Sequence, residues 1–175
     1  MKDTKIWFGQ GVDDQKNGWF NSAGEGAFVL EGAKSVWHFA GLQQKAGHFR
    51  FQLEGLQGKS WLKSGSGLLR GGQVTVQSWL AQIHADLSSS HSLVMSYSQP
   101  LNARKGSFEF YDNAAQAIHK IGFVHQNREY QQRIAWQYNP ISGLGISAYY
   151  LDITHPSALR AKSEQRLGAL LRLKF

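Results

Sequence analysis

The chain has 175 residues, a formal net charge of +7 and no Cys. The length predicts one domain, large enough for a closed barrel or a substantial core. The lack of Cys excludes a disulfide framework and a thiolate metal site. No run of about 18 apolar residues occurs, so no transmembrane helix is encoded. No secretory signal opens the chain, so an exported protein would be represented by its mature part or a fragment.

Alternation of apolar and polar residues predicts an all-β protein of about ten strands, with no amphipathic helix. The clearest example is residues 48–54, where Phe49, Phe51 and Leu53 alternate with polar neighbours. The predicted strands cover residues 4–10, 34–42, 48–54, 73–85, 92–98, 106–111, 117–125, 129–138, 144–153 and 166–175. Many have roughly the nine to eleven residues that a tilted strand needs to cross a bilayer.

The predicted connections alternate in length, as in outer-membrane barrels, which combine short periplasmic turns with longer extracellular loops. With both termini periplasmic, the inner turns fall near residues 43–47, 86–91, 112–116 and 139–142. The outer loops are residues 11–33, 56–72, 99–106, 126–128 and 153–164. The 126–128 connection is too short for this scheme, and one strand fewer in that region is the alternative.

The last ten residues form the most distinctive stretch. Leu167, Ala169, Leu171, Leu173 and Phe175 alternate with a second set that contains Arg166 and Gly168. The stretch resembles the terminal signal of bacterial outer-membrane barrels, in which a polar residue, a Gly and alternating apolar residues precede a final Phe. Arg166, Gly168, Leu171, Leu173 and Phe175 match that pattern place by place. The alternative is an ordinary last strand of a soluble sheet.

Alternation alone does not tell which face of a closed sheet points inwards. Three features favour a closed antiparallel transmembrane β-barrel, with ten strands preferred and eight or twelve as alternatives. The first is the final Phe. The second is a set of aromatic residues near strand ends, typical of interfacial girdles: Trp37, Trp61, Tyr97, Trp136, Tyr138 and Phe175. The third is the presence of both charge signs on the polar faces, where the predicted lumen-lining residues are Arg50, Glu54, Glu129, Arg133, Arg172 and Lys174.

Short motifs point to one family of such barrels. Ser98-Gln99-Pro100-Leu101, followed by Gly106-Ser107, resembles a segment of the translocator barrels of subtilisin-type autotransporters. Residues 17–30, with Gly24 and Gly26-Ala27-Phe28, and the order of elements over 133–175 are similar to the same family. The resemblance implies a type V secretion translocator in the bacterial outer membrane that assists export of a passenger. Its partners would be outer-membrane lipids, lipopolysaccharide, the barrel assembly machinery and a passenger domain. The family barrel has about twelve strands and an inner helix, so this chain would be the carboxy-terminal part of such a protein or a smaller derivative.

Two other function classes stay open. A small lipid-modifying enzyme would use Ser88–Ser90 with His84 or His91, although polar residues at a hairpin tip are ordinary. A soluble ligand-binding β-barrel would place the apolar residues inside. No metal site, cofactor or nucleic-acid module is predicted. Basic residues predicted in outer loops are candidates for lipopolysaccharide phosphates: Arg70, Arg104, Lys105, Arg160 and Lys162.

Overall fold

The computed structural model describes residues 3–16, 30–64, 68–124, 128–141, 144–156 and 163–173. The elements in these ranges are nine strands, all paired antiparallel in one sheet. The strands are β1 (Asp3–Lys16), β2 (Leu30–Ala46), β3 (Phe49–Ser64), β4 (Leu69–Asp86), β5 (His91–Asp112), β6 (Ala117–Val124), β7 (Tyr130–Ile141), β8 (Leu144–Thr154) and β9 (Ser163–Leu173). The all-β prediction is confirmed, and the described strands number nine rather than about ten.

The sheet follows the order β1-β2-β3-β4-β5-β7-β8-β9, and β6 also pairs with β5. β7 occupies the first half of one edge of β5, from His91 to Ser98, and β6 occupies the second half, from Lys105 to Asp112. β6 and β7 therefore share one of eight strand positions across the sheet. β1 and β9 are the two ends, and no register joins them within the described residues. The structure thus contains a single antiparallel sheet that is not closed.

Two predicted connections need correction. The strands on either side of the predicted outer loop at 126–128 are not antiparallel neighbours, because β6 and β7 run in the same direction along β5. Most of that predicted loop lies outside the described residues. The predicted inner turn at 112–116 lies at the opposite end of the sheet from the 86–91 hairpin. We call the end with the β2–β3, β4–β5 and β7–β8 connections the hairpin end, and the opposite end the far end.

Several strands extend into regions predicted as loops. β1 continues to Lys16, β3 continues to Ser64, and β5 runs unbroken through the predicted loop at 99–106. Proline is tolerated within β5 because Pro100 lies where the β4–β5 register shifts. β5 has a β-bulge at this point, where its residues 100 and 101 lie opposite one residue of β4. Arg104 is the extra residue of a second bulge.

The strand registers divide the side chains into two faces, because directly paired residues of antiparallel strands point to the same side. On β3, Phe49, Phe51 and Leu53 are exposed, whereas Gln52 and Glu54 are partly buried. We call these the exposed face and the enclosed face. The same difference in burial continues across β1 and β8.

The buried apolar core is small and lies on the enclosed face. Ala33, Leu62 and Leu69 form a cluster near the far end, against which Phe108 and Phe110 pack. Beside it, the buried hydroxyls of Ser35 and Ser60 lie 2.8 Å apart and satisfy each other by a hydrogen bond. By contrast, most large apolar side chains of the exposed face are not covered by other residues.

Candidate functional site

A band of apolar side chains crosses the exposed face. One row of directly paired residues runs from β3 to β9 through Phe51, Ile83, Met95, Ile134, Tyr150 and Leu167. The exposed fractions are 44% for Phe51, 47% for Met95 and 45% for Ile134. The band continues to the edge of the sheet, where Phe8 is 85% exposed. A contiguous apolar surface of this kind marks a partner or a membrane.

A shallow groove of about 460 Å³ lies within this band. Its lining is mainly aliphatic and aromatic, and it includes Leu42, Phe51, Leu53, Ile83, Met95 and Tyr150. The groove crosses several strands at right angles to their direction. Such a surface is suited to flexible hydrocarbon, since it offers dispersion contacts and few directional hydrogen-bond partners.

Two aromatic clusters border the band. At the hairpin end, the His91 ring stacks on Tyr138 at a centroid distance of 4.5 Å and on Trp136 at 5.6 Å. Towards the far end, Tyr97 lies 5.1 Å from Trp79 and 5.8 Å from Tyr130. Tyr130 and Tyr138 stand about 27 Å apart along β7 at the usual rise per residue. Strand tilt of about 35–45° would reduce this separation to roughly 19–22 Å across the membrane, comparable with the apolar band about 25 Å tall between the aromatic girdles of outer-membrane barrels.

The predicted girdle residues are therefore only partly placed as expected. Tyr97, Trp136 and Tyr138 belong to the two clusters, and Trp61 lies on the exposed face nearer the far end. The prediction for Trp37 is wrong, because its ring lies on the enclosed face above Gly58. Phe175 is outside the described residues. Sequence reasoning missed Trp79, His91 and Tyr130, although the spacing of Tyr130 and Tyr138 on one strand was an available signal.

A polar row follows the band on the side of the far end. Gln10, His38, Gln57, Gln77 and Asn102 are directly paired in this order from β1 to β5. The preceding row on the same face contains Phe8, Ala40, Gly55 and Trp79. The change from apolar to amide and imidazole side chains thus occurs within one row of the sheet.

The enclosed face has the opposite chemistry behind the band. A register row there runs through Lys5, Gln43, Gln52, Gln82, Ser96, Arg133, Leu151 and Arg166. The Gln52 amide donates a hydrogen bond of 2.8 Å to Glu54, and the Arg133 guanidinium lies 5.0 Å from the Tyr149 ring centroid. In the middle of this row the polar side chains of Gln52, Gln82 and Ser96 are partly buried, whereas the apolar side chains of Phe51, Ile83 and Met95 next to them are exposed.

Four predicted lumen-lining residues, Arg50, Glu54, Arg133 and Arg172, lie on the enclosed face. Glu129 precedes β7 and accepts a hydrogen bond of 2.7 Å from the Gln131 amide. Lys174 is outside the described residues. The assignment of these side chains to a lumen stays a prediction, because the described sheet is open.

The residues of the predicted terminal signal lie on β9 as far as it is described. Arg166 donates a hydrogen bond of 2.6 Å to Glu164, and Leu171 is 60% exposed on the apolar side. Gly168 faces the Tyr149 ring, which leaves no room for a Cβ atom. Leu173 pairs with Leu144 as the last described residue of the strand, and Phe175 is outside the described residues.

The serine and histidine residues of the β4–β5 hairpin are separated by the sheet. His84 lies on the enclosed face and contacts Asp86 at 2.8 Å, whereas His91 lies on the exposed face in the aromatic cluster. The Ser88 hydroxyl accepts hydrogen bonds from the backbone amides of Ser90 and His91, at 3.3 and 3.1 Å. Among the described residues, neither imidazole ring hydrogen-bonds to the Ser88 hydroxyl, which instead stabilises the turn.

An ion pair ties the far ends of β1 and β3 together. The Lys63 ammonium lies 2.7 Å from the Asp14 carboxylate. The hydrogen bond from Lys63 lowers the pKa of the Asp14 carboxyl below its ordinary value, helped by the nearby charges of Lys34 and Lys16. Both side chains are about half exposed, so the pair contributes little to stability.

Among the described residues, no three His, Asp or Glu side chains are grouped so as to hold a metal ion. No helix in the same residues is long and apolar enough to cross a membrane. Comparisons with protein-family models, curated proteins and solved structures find no match to this chain.

Proposed function

We propose that this protein inserts into the bacterial outer membrane as a small β-barrel, with its exposed face against lipid and its enclosed face around a closed interior. The observation that supports this most is the exposed apolar band between two aromatic clusters. In a soluble β-barrel, Met95, Ile134 and Phe51 would be the buried core. Here they are among the more accessible side chains, and the polar row through Gln52, Gln82 and Ser96 is less accessible.

Closure of the sheet is part of the proposal. In hydrocarbon, every backbone amide and carbonyl needs a partner, so the free edges of β1 and β9 would have to pair. β1 runs away from the hairpin end and β9 runs towards it, so the two edges would meet antiparallel. Eight strand positions would then form the barrel, a number known among small outer-membrane barrels and one of the alternatives predicted from the sequence.

The proposed cellular role is translocation of a passenger, or a remnant of that role. It is supported by the sequence resemblance around Ser98–Leu101 and by the terminal pattern of β9. Eight strand positions are fewer than the about twelve expected for the resembled family, which favours a carboxy-terminal part or a smaller derivative. The proposed partners are the barrel assembly machinery, outer-membrane lipids and a passenger domain.

Insertion can be tested with a matched pair of substitutions in adjacent residues of β5. Met95→Glu places a carboxylate in the middle of the apolar band, and Ser96→Glu places one on the enclosed face beside Arg133. We expect Met95→Glu to lower stability in the bilayer by roughly 1–2 kcal/mol and Ser96→Glu to be tolerated. Urea-unfolded protein is refolded into vesicles, and insertion is followed by protease protection and by altered gel migration without heating. A wild-type chain that stays monomeric and folded in buffer without detergent would contradict insertion.

Export needs a separate test, since a barrel can insert without moving a passenger. A small reporter domain fused ahead of Met1, behind a secretory signal, is expected to reach the cell surface and become accessible to added protease. The control is the same fusion with Met95→Glu. Barrels that insert normally but leave the reporter in the periplasm would rule out export while leaving the membrane assignment intact.

A further inference from the structure

A cluster of cations lies on the exposed face just beyond the polar row. Lys59 of β3 and Lys105 of β5 flank Thr75 of β4 in one register row. Arg104, the extra residue of the second bulge, donates a hydrogen bond of 2.6 Å from Nη1 to the Gln77 side chain, which belongs to the polar row. The bulge thus adds a third cation to the same patch. Arg104 and Lys105 were predicted in an outer loop and instead lie within β5.

Lys59 and Lys105 differ from the neighbouring lysines in having no carboxylate within ion-pair distance among the described residues. Lys63 is paired with Asp14 at 2.7 Å, and Lys120 is paired with Glu109 at 3.3 Å. The Lys59 ammonium instead lies 5.1 Å from the centroid of the Trp61 ring. Two ammonium groups on either side of a threonine hydroxyl are therefore available to an anion from outside the chain.

These side chains line a broad groove of about 1000 Å³ on the exposed face. The groove is bounded by β2 on one side and β6 on the other, and its lining includes His38, Gln57, Trp61 and Val124. His38 and Gln57 are also members of the polar row that borders the apolar band. Cationic, hydrogen-bonding and apolar surfaces therefore follow one another along the strands without interruption.

We propose that this groove binds the phosphate group of an anionic lipid whose acyl chains lie on the apolar band. Lys59 and Lys105 supply the charge, Thr75 and Gln57 supply hydrogen-bonding groups, and Trp61 lies at headgroup level. The lysine stems run over apolar surface while the ammonium groups reach the phosphate. This inference rests on the proposed insertion into a membrane, because only then do acyl chains and headgroups meet the two surfaces in this order.

The test compares the wild-type chain with Lys59→Gln/Lys105→Gln, and with Lys5→Gln/Lys45→Gln on the enclosed face as the control. Native mass spectrometry of the detergent-solubilised protein counts bound phosphatidylglycerol against phosphatidylcholine. We expect wild type to prefer phosphatidylglycerol and the Lys59/Lys105 variant to lose about fivefold in affinity per lysine, with the control unchanged. Glycerol phosphate, which has the phosphate without acyl chains, should compete only weakly.

The outcomes separate this inference from the proposal of membrane insertion. Wild-type protein that inserts into vesicles but binds both lipids equally would overturn the lipid site alone. An equal loss of affinity for phosphatidylglycerol in the Lys59/Lys105 variant and in the control would also overturn the lipid site, since general positive charge would then explain the preference. Competition by glycerol phosphate as strong as that by the lipid would show a phosphate site without acyl-chain contacts. Failure of wild type to insert at all would overturn both proposals.

Discussion

Gly58 lies on the enclosed face at a position where the structure leaves no room for a side chain. A Cβ atom at this position would collide with the indole ring of Trp37 on the neighbouring strand, whereas a Cβ atom at Gly55 would meet nothing within 4 Å. Gly58→Ala is therefore expected to destabilise the protein by about 1–3 kcal/mol, because Trp37 must leave its position. Gly55→Ala is expected to be neutral or slightly stabilising, since glycine within a strand has an entropic cost. Urea unfolding in detergent micelles, followed by tryptophan fluorescence, measures both.

The two glycines lie on one strand and differ in the face that they occupy, so each serves as the control for the other. Equal stability of the two alanine variants would mean that Trp37 does not pack on Gly58. A loss at Gly55 and none at Gly58 would reverse the assignment of the two faces. The aromatic pattern alone predicted Trp37 at a lipid interface, because sequence spacing does not reveal that a glycine on the next strand makes room for its ring.

At the scale of the strands, the sequence predicted elements best where the alternation of side chains is clean. Of the predicted strands, 73–85 and 144–153 lie entirely in strands of one sheet, and 48–54 does so from Phe49 onwards, as their period-two pattern requires. The strand through 99–106 was missed because Pro100 and the bulges of β5 disturb that period. The bulges shift which residues point to each face, so a correct strand looks like a break in the sequence.

The relative direction of β6 and β7 could not be predicted from a local sequence pattern either. β6 and β7 were correctly predicted as separate strands but were placed as antiparallel neighbours. Their pairing with successive parts of β5 is a long-range property that depends on the unusual length of β5. The predicted lumen residues Arg50, Glu54, Arg133 and Arg172 share one face because alternation fixes relative sides, even where strand order is wrong.

The terminal strand makes a prediction about assembly. If residues 166–175 act as the signal for the barrel assembly machinery, deletion of Phe175 should sharply reduce the amount of protein reaching the outer membrane. The reason is that the final aromatic side chain is the most specific feature of the pattern, whereas Leu170 is outside it. Leu170→Ala on the enclosed face is the control. Membrane fractionation of cells that produce each variant measures the effect, and normal assembly without Phe175 would show that β9 is an ordinary last strand.

At the scale of the whole molecule, the apolar band is oblique to the rows of paired residues. On β1 the first polar residue beyond the band is Gln10, and the paired row from Gln10 reaches Gln77 on β4. On β9 the corresponding residue is Gln165, which belongs to the row of Ile6. The border between apolar and polar side chains therefore lies in the row of Gln10 on β1 and in the row of Ile6 on β9. Strands of a closed barrel are tilted, and a level membrane border must cross their rows in this way.

This offset of the border predicts how the two free edges would meet. With the border residues Gln10 and Gln165 at one membrane level, Phe8 of β1 should lie opposite Leu167 of β9, or opposite Ala169 where strand tilt moves the pairing to the next residue on the same face. The chain has no Cys, so a cysteine pair introduced at these positions has no native thiol to pair with, and an intramolecular disulfide is distinguished from a dimer by its migration on the gel. We expect Phe8→Cys to cross-link with Leu167→Cys or Ala169→Cys in the folded protein, which a gel shift without reductant detects. Leu170→Cys, the neighbour whose side chain lies on the enclosed face, should not cross-link because its Cβ atom points away.

An edge that pairs with neither position, in protein shown to be inserted, would contradict closure of β1 against β9 at this offset. Cross-linking of all three positions alike would indicate that the two edges are close but not held in register.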